Sequence, residues 1–419
     1  MRTISAFLVT LLALPALADD GQVRLNADTP EGFPEIAEVR QITEGPLHHF
    51  FGYYGMPPWD WSQRYMVVMQ SEFSDRLVEA DDTANIVLID LESGEQRVIA
   101  ETRAWNFQQG AMLHWLGEGP ERQIIYNDRE GDRVVSVILD VESGERRVLD
   151  RPIAAVAPGG RYAASISYSR LRITRPGYGY AGIADARNTH PHPDDDGLYL
   201  MDLETGESEL IVSLKDAYDL EPVPEGADDN LLWFNHVLFS PDDQRIFFMA
   251  RIHDTDDRRQ TAGITVGTDG SELRTVLPYS WGASHYDWLD GERMVVTSRY
   301  QGERPWLHVY FTDGGDDHRP IAPDEIRRDG HCHFSPDGRW MVTDTYPDNE
   351  RMQHLIIVRM EDEEVTELGR FHQPEAFRSA WRCDLHPRWS RDGQSICIDS
   401  THDGTRQVYI LELDLPGES

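Results

Sequence analysis

The sequence has few groups that could cross-link the chain. Its 419 residues include three cysteines, Cys332, Cys383 and Cys397. An odd count in a chain of this length does not describe a disulfide framework, although one pair could still form in an oxidising compartment. The plainer interpretation is that all three are small, buried strand residues.

Long apolar runs are absent after the first few residues. Arg2 is followed by a largely apolar segment over 4–14, and Ala16-Leu17-Ala18 forms an A-x-A cleavage site, a pattern typical of a secretory signal peptide. No later run approaches the 18 apolar residues of a membrane-spanning helix. We therefore predict a signal peptide over 1–18 and a single domain over 19–419, exported to the periplasm or the medium without membrane insertion.

Lysine is almost missing, and positive charge is in the minority. Lys215 is the single lysine among 39 basic residues, against 74 acidic residues, and the formal net charge is −35. A surface this acidic argues against nucleic acid and anionic membranes as partners. An anionic substrate would need a local cluster of arginines to hold it against the field of the whole chain.

What the sequence has instead is an internal repeat. An aromatic residue, a polar turn rich in Asp and Gly, and an apolar strand recur from Trp59, Phe239, Trp288, Phe334 and Trp389, with weaker copies at Trp115 and Val156. Asp and Gly tolerate the left-handed conformations of tight hairpins. A second strand–turn–strand unit follows most copies, as in "NIVLIDLESGEQRVIA" from Asn85. Four strands in roughly 40–55 residues are typical of a propeller blade.

The last copy is incomplete in a way that suggests how the ring closes. Residues 408–415 read as a third strand with no fourth after it, whereas 38–43 read as a fourth strand with no blade before it. Pairing the two removes a bare sheet edge. The sequence therefore predicts an all-β, seven-bladed propeller closed by its N-terminal strand. Long insertions at about 168–196 and 213–232 are expected to form a binding face.

Four of these repeats carry histidine at one position. His236, His285, His331 and His386 each lie three residues before the aromatic residue of the turn. That segment borders the innermost strand, so the four imidazoles are expected to converge on the channel axis. His333 lies two residues beyond His331 and would share its side of a strand.

Convergent neutral imidazoles suit zinc, manganese, iron, nickel or copper. Asp384 or Gln109 could supply an oxygen ligand, and a remaining histidine could act as a general base. A structural hydrogen-bonding role for each histidine is the alternative.

The segments that carry these histidines are "WFNHVLFSPD" (233–242), "SHYDW" (284–288), "DGHCHFSPDGRW" (329–340) and "RCDLHPRWSRDG" (382–393). They resemble oligogalacturonate lyase, the seven-bladed propeller of polysaccharide lyase family 22. The "FSPDG" turns are shared with TolB-like and peptidase propellers. The resemblance implies a Mn²⁺ site of three histidines and a glutamine, with His285, His331 and His333 as ligands and His236 as base. Arg328 stands where that glutamine is expected, and Gln108, Gln109 or His386 could replace it.

The activity implied is metal-assisted β-elimination from a uronic-acid-containing oligosaccharide, with a divalent transition metal, Mn²⁺, as cofactor. Arginine can bind a sugar carboxylate through two hydrogen bonds, and aromatic rings can stack on sugars. We expect Arg382 and Arg299 to assist catalysis. The expected substrate-binding residues are Arg170, Arg172, Arg175, Tyr178, Tyr180, Gln109 and Tyr286.

The alternative function is a non-catalytic TolB-like propeller that binds a protein or peptide at its channel mouth. A serine peptidase is disfavoured, because the sequence has no G-x-S-x-G motif and no hydrolase domain after the repeats.

Overall fold

The computed structural model describes residues 22–117 and 122–416. The predicted signal peptide, residues 1–18, lies outside them, so it and the domain boundary at residue 19 stay predictions. No helix in the described ranges has the length and apolarity needed to cross a membrane. The three cysteines are buried and free, so the pairing left open above is not formed.

The described residues form seven antiparallel sheets arranged as a seven-bladed propeller. Two strands precede the first blade: β1 (Val23–Leu25) and β2 (Glu35–Gln41). Blade 1 is β3 (His48–Phe50), β4 (Tyr65–Ser71), β5 (Ala84–Asp90) and β6 (Gln96–Thr102). Blade 2 is β7 (His114–Leu116), β8 (Gln123–Glu130), β9 (Arg133–Asp140) and β10 (Arg146–Leu149). Blade 3 is β11 (Ala155–Val156), β12 (Tyr162–Ser165), β13 (Gly197–Asp202) and β14 (Ser208–Ser213).

The remaining blades follow the same order. Blade 4 is β15 (Trp233–Phe239), β16 (Arg245–His253), β17 (Arg259–Gly267) and β18 (Arg274–Leu277). Blade 5 is β19 (Tyr286–Trp288), β20 (Arg293–Ser298), β21 (Leu307–Thr312) and β22 (Arg319–Pro320). Blade 6 is β23 (His333–Phe334), β24 (Trp340–Asp344), β25 (Met352–Arg359) and β26 (Val365–His372). Blade 7 is β27 (Arg388–Trp389), β28 (Ser395–Ser400) and β29 (Gln407–Asp414).

The repeated turn between the first two strands of a blade is closed by a serine hydroxyl. In blade 6, Ser335 Oγ donates to Asp337 Oδ1 at 2.6 Å and accepts the N–H of Trp340 at 3.0 Å. Ser240 in blade 4 and Ser390 in blade 7 make the same pair of contacts. The next turn position is left-handed and carries Asp243, Gly338 or Gly393, residue types that tolerate positive φ. The hydroxyl and the left-handed residue explain why the Ser-x-Asp-Gly pattern recurs.

The predicted ring closure is confirmed. Strand β2 pairs antiparallel with β29 and completes blade 7, with Val39 opposite Leu411. Strand β2 begins at Glu35, three residues before the expected start. The sequence did not predict β1, which pairs with β26 and adds a fifth strand to blade 6.

The strand order places the histidines and both long insertions at one mouth of the channel. Each innermost strand begins at this mouth, and so do the loops that join the second strand of a blade to the third. The segment between β12 and β13 contains helix α1 (Tyr168–Thr174), capped by Ser167, and a 3₁₀ turn (Ala186–Thr189). Helix α2 (Leu214–Leu220) follows β14 and starts with a capping box between Ser213 and Asp216. We call this end the histidine mouth.

The closing strand should contribute more to stability than β1 does. Removing residues 22–42 deletes β2, exposes the edge of β29 and uncovers apolar residues such as Leu411. We expect a fall in Tm on the order of 10 °C, with aggregation. Removing residues 22–31 deletes only β1 and should lower Tm by much less. Calorimetry on both truncations checks this, and equal losses would contradict closure by β2.

Candidate active site

Three of the four equivalent histidines meet ring to ring, as their register predicts. The ring centroids of His285 and His331 lie 3.8 Å apart, and those of His331 and His386 lie 4.4 Å apart. All three side chains are at most 4% exposed. Three successive blades thus bring their imidazoles to one point at the channel axis.

His236 joins the group through a tyrosine. It lies in a bulge of β15, with φ of 55°, and a bulge re-aims the side chain it carries. Its ring stacks on that of Tyr53 with the centroids 5.0 Å apart, and Tyr53 also makes an edge contact with His386, with the centroids 5.2 Å apart. Tyr54 lies beside Tyr53 and contacts His285 and His331. These two tyrosines, from the segment that enters blade 1, fill the centre of the channel.

A hydrogen-bond acceptor holds Nδ1 of each clustered histidine. His285 Nδ1 lies 2.9 Å from Asp329 Oδ1, and His331 Nδ1 lies 2.7 Å from Asp344 Oδ1. His386 Nδ1 donates to the carbonyl of Gly52 at 2.6 Å. The ring nitrogen left available on each is Nε2, and on His331 and His386 it is buried without a hydrogen-bond partner among the described residues.

The two carboxylates are themselves fixed. Asp344 also accepts the backbone N–H groups of His331 and His386, and burial raises its pKa to about 6. Burial alone would raise the pKa of Asp329, but contacts with His285, Thr297 and Ser284 outweigh it and lower the pKa. Each imidazole is therefore locked in orientation by a group that cannot move away.

Burial also sets the charge of the histidines. It lowers the pKa of His331 to about 4 and lowers the pKa of His285, His236 and His386 from its usual value. The four rings are consequently neutral at neutral pH. Neutral imidazole is the form that binds a metal ion or accepts a proton.

The carboxylate of Asp384 lies close enough to two of the imidazoles to share a metal ion with them. Ligand atoms of His331, Asp384 and His386 all lie within 4.8 Å of one another, and all three residues are buried. His386 Nε2 lies 3.9 Å from Asp384 Oδ2. Unpartnered imidazole nitrogens whose Nδ1 atoms are held by a carboxylate or a carbonyl are characteristic of metal ligands. Two nitrogens and a carboxylate fit a divalent transition metal.

Two arginines and a tyrosine border the histidines. Arg175 Nη1 lies 3.1 Å from His236 Nε2, and its guanidinium lies over the ring of Tyr178 at 3.7 Å. Arg382 Nε lies 2.7 Å from Asp384 Oδ2, and its Nη2 lies 3.4 Å from Tyr178 Oη. Arg175, Tyr178 and Arg382 therefore lie close enough to the cluster to contact a molecule bound there.

His333 is not part of the cluster, contrary to the expectation from strand pleat. Its Nδ1 accepts the N–H of Trp389 at 3.1 Å, and its carbonyl accepts the Trp389 indole N–H at 3.2 Å. The period-two rule fails because His331 precedes β23 and is not paired in the sheet. His333 therefore joins blades 6 and 7.

Three of the arginines expected at the site donate to loop carbonyls. Arg170 is 1% exposed, and its guanidinium donates to carbonyls of Leu232, His190 and Pro191, so it holds the insertion together. Arg172 donates to the Pro176 carbonyl, and Arg299 to that of Trp281. Their guanidinium groups are occupied by loop backbone.

Three other residues that were expected to bind substrate are buried. Tyr180 is fully buried and stacks on Tyr168 at 4.2 Å. The backbone of Tyr286 exchanges hydrogen bonds with the hydroxyl of Tyr54. Gln109 is 4% exposed and lines a cavity at the opposite mouth.

Sequence reasoning missed Tyr53, Tyr54, Asp329 and Asp344. A signal existed for Asp344: it lies ten residues after the turn aromatic of blade 6, and Asp399 lies ten residues after that of blade 7. Asp344 is the last residue of the second strand of blade 6, and Asp399 is the last but one in that of blade 7. Asp399 likewise accepts from a channel residue, Arg388. Nothing in the repeat pointed to the two tyrosines.

The tyrosines separate two open spaces. A cleft of about 820 Å³ opens at the histidine mouth and is bordered by Asp329 and Tyr346. A largely apolar cavity of about 460 Å³ lies on the other side of Tyr53 and Tyr54, among the serine turns. Tyr53 and Tyr54 thus line the apolar cavity and contact the histidine rings as well.

Comparison with known proteins shows the fold. No protein-family model and no curated protein matches the sequence. Among solved structures, an oligogalacturonate lyase from Vibrio parahaemolyticus superposes with a TM-score of 0.64 at 16% identity, over 92% of this chain and 99% of that one. An oligogalacturonate lyase in complex with manganese gives 0.64 at 17% identity, again over 92% and 99%.

The tricorn protease gives a TM-score of 0.51 at 10% identity, over 88% of this chain but 34% of that chain. At such identities the likeness shows the fold alone. The chain thus has the seven-bladed propeller fold of oligogalacturonate lyase, as its histidine-bearing segments predicted.

Proposed function

We propose that this protein is a lyase that cleaves uronic-acid-containing oligosaccharides by metal-assisted β-elimination. The observation that carries the proposal is the convergence of three buried, neutral imidazoles, each with Nδ1 held by an acceptor and Nε2 left available. The fold shared with oligogalacturonate lyase supports the same function. The alternative, a non-catalytic binding propeller, gives no reason for neutral imidazoles to converge.

We assign the metal to His331, His386 and Asp384. These residues combine unpartnered buried nitrogens with a carboxylate within ligand range. A bound divalent ion, Mn²⁺ by analogy, supplies positive charge that stabilises the negative charge developing on the substrate carboxylate. His285, also expected to be a ligand, lies beside this trio and is assigned another role below. We do not assign His333 to the metal, because its Nδ1 accepts the N–H of Trp389.

We assign the general base to His285 instead of His236. The base must take the C5 proton, which lies α to the carboxylate, as the C4–C5 double bond forms and the C4–O bond breaks. It then carries a positive charge until it returns the proton to the leaving oxygen. Asp329 faces His285 Nδ1 at 2.9 Å and would stabilise that charge. Arg175 faces His236 Nε2 at 3.1 Å and would oppose it. His236 is better suited to position Arg175 and Tyr53.

Arg175 and Arg382 are proposed to hold the carboxylate of the reacting sugar. Both guanidinium groups contact Tyr178, so they flank one place beside the cluster. Burial lowers the pKa of Arg175 to about 10, which still leaves it charged at neutral pH. A carboxylate is the natural partner for two guanidinium groups at the edge of a buried site. Export through the segment 1–18 would bring the protein to external polysaccharide fragments.

The activity itself should be visible in the ultraviolet. β-Elimination leaves a conjugated double bond in the product, so absorbance should rise when the purified protein meets a uronate oligosaccharide with Mn²⁺. Removal of the metal with a chelator should abolish the rise, and added Mn²⁺ should restore it. Flat traces with galacturonate, glucuronate and sulfated uronate oligomers would contradict the proposal.

The metal content of three variants distinguishes the proposed ligands, His331 and His386, from the nearby His333. His331→Ala and His386→Ala should each lose most of the bound metal, because each removes one of few donors. His333→Gln changes a histidine two residues from His331 and should retain it. Elemental analysis after dialysis measures the stoichiometry. Equal loss in His333→Gln would place the ion elsewhere.

The base assignment predicts a rate effect without metal loss. His285→Gln should lower kcat by about 10²–10⁴-fold, the usual contribution of a general base. Asp329→Asn should lower it as well, since the imidazole loses its orienting carboxylate. Both variants should bind metal like the unaltered protein. A larger loss of kcat in His236→Gln than in His285→Gln would reverse the assignment.

A further inference from the structure

The cleft at the histidine mouth carries three arginines that the proposed reaction does not use. It is lined by residues 304–306, 327–329 and 346–350, from loops of blades 5 and 6. We call it the arginine cleft and define it by Arg304, Trp306, Arg327, Arg328 and Tyr346.

These guanidinium groups are uncommitted. Arg304, Arg327 and Arg328 are exposed, and none of them makes an ion pair or a side-chain hydrogen bond within residues 22–117 and 122–416. Such a group of arginines is unexpected in a chain with 74 acidic residues and a net charge of −35. Free guanidinium groups gathered in one cleft are suited to bind an anion.

The acidic residues of the same cleft already have partners. Asp329 is held by His285, Thr297 and Ser284. Asp348 lies 3.2 Å from His354 Nε2, and Glu350 lies 3.4 Å from Arg24. The lining thus holds three carboxylates, each with a partner, and three guanidinium groups that have none among the described residues.

The arginine cleft is continuous with the proposed active site. Asp329 immediately follows Arg328, and its carboxylate contacts His285, the proposed base. Consecutive Cα atoms are about 3.8 Å apart, so the backbone of Arg328 lies next to Asp329, whose carboxylate holds the proposed base. The ring of Tyr346 lies 6.2 Å from that of His285 and 5.9 Å from that of His331. An oligosaccharide could therefore contact the arginine cleft and the histidine cluster at the same time.

Aromatic rings complete the surface that a sugar chain needs. Trp306 and Tyr346 are half-buried, so each presents part of its ring to the cleft. Aromatic faces pack against the apolar faces of sugar rings, while arginine binds carboxylate or sulfate through paired hydrogen bonds.

We propose that the arginine cleft binds the anionic group of a sugar unit next to the one being cleaved. The substrate would then be an oligosaccharide with negative charge on successive units. This inference rests on the proposed function and gives Arg328 a role other than that of the missing metal ligand. The shared ligand chemistry is an oxyanion on a sugar, either a carboxylate or a sulfate ester.

The test compares substrates of different length in a charge-matched pair of variants. Arg327→Gln/Arg328→Gln removes two cleft charges. The control, Arg103→Gln/Arg133→Gln, removes two exposed charges from blades 1 and 2 at the same mouth. KM and kcat are measured with galacturonate di-, tri- and tetrasaccharides, and binding of the same sugars to metal-loaded protein is measured by calorimetry. A sulfated uronate tetrasaccharide forms the second arm.

The cleft variant should raise KM and Kd about tenfold or more for the tetrasaccharide, change them little for the disaccharide, and leave kcat nearly unchanged. The control should show no dependence on length. A greater loss for the sulfated sugar identifies sulfate as the ligand, and a greater loss for galacturonate identifies carboxylate. Equal effects in the two variants, or an effect independent of length, would overturn the proposal. Length-dependent binding without any unsaturated product would overturn the lyase and leave the cleft standing.

Discussion

Fixation of Nδ1 on the buried histidines is the interaction on which the channel centre depends. A neutral imidazole has one donor and one acceptor nitrogen, and the acceptor on Nδ1 decides which tautomer forms. Asp329, Asp344 and the Gly52 carbonyl make that choice for His285, His331 and His386. Each leaves Nε2 as the basic nitrogen. Without these acceptors the imidazole rings could rotate, and their Nδ1 atoms would be buried without a hydrogen-bond partner.

The propeller supplies the geometry that makes this possible. Equivalent positions on neighbouring blades point at one axis, so a histidine repeated in register needs no special loop to meet its counterparts. The two tyrosines of the blade 1 segment fill the remaining space and form the floor of the site. Both long insertions and the arginine cleft belong to the same mouth of the channel as the histidines. Closure by β2 holds this arrangement together, because blade 7 carries His386 and lacks a fourth strand of its own.

The repeated elements could be read from sequence because they are local. The seven copies of an aromatic residue, a polar turn and an apolar strand are short-range units, so their spacing predicted seven blades. The register of His285, His331 and His386 predicted their convergence. The partners of these histidines could not be found in the same way. Asp344 approaches His331 from a different strand, and Gly52 approaches His386 from the other end of the chain.

Failures of prediction also have physical causes. His333 was expected beside His331, but pleat alternation applies only inside a paired strand, and His331 lies before it. Arg170 was assigned to substrate because it lies in a long loop, yet such loops contain carbonyls that need donors when buried. Arg170 meets that need. Strand β1 has three residues and little apolar pattern, so only its pairing with β26 reveals it.

Whether the buried histidines hold the metal ion is tested by X-ray absorption spectroscopy at the manganese edge of the protein loaded with Mn²⁺. We expect one ion per chain, with oxygen and nitrogen in its nearest shell and the outer-ring scattering of two imidazoles. Loss of one imidazole contribution in His386→Ala would agree with this. A shell of oxygen alone, with no imidazole scattering, would contradict it.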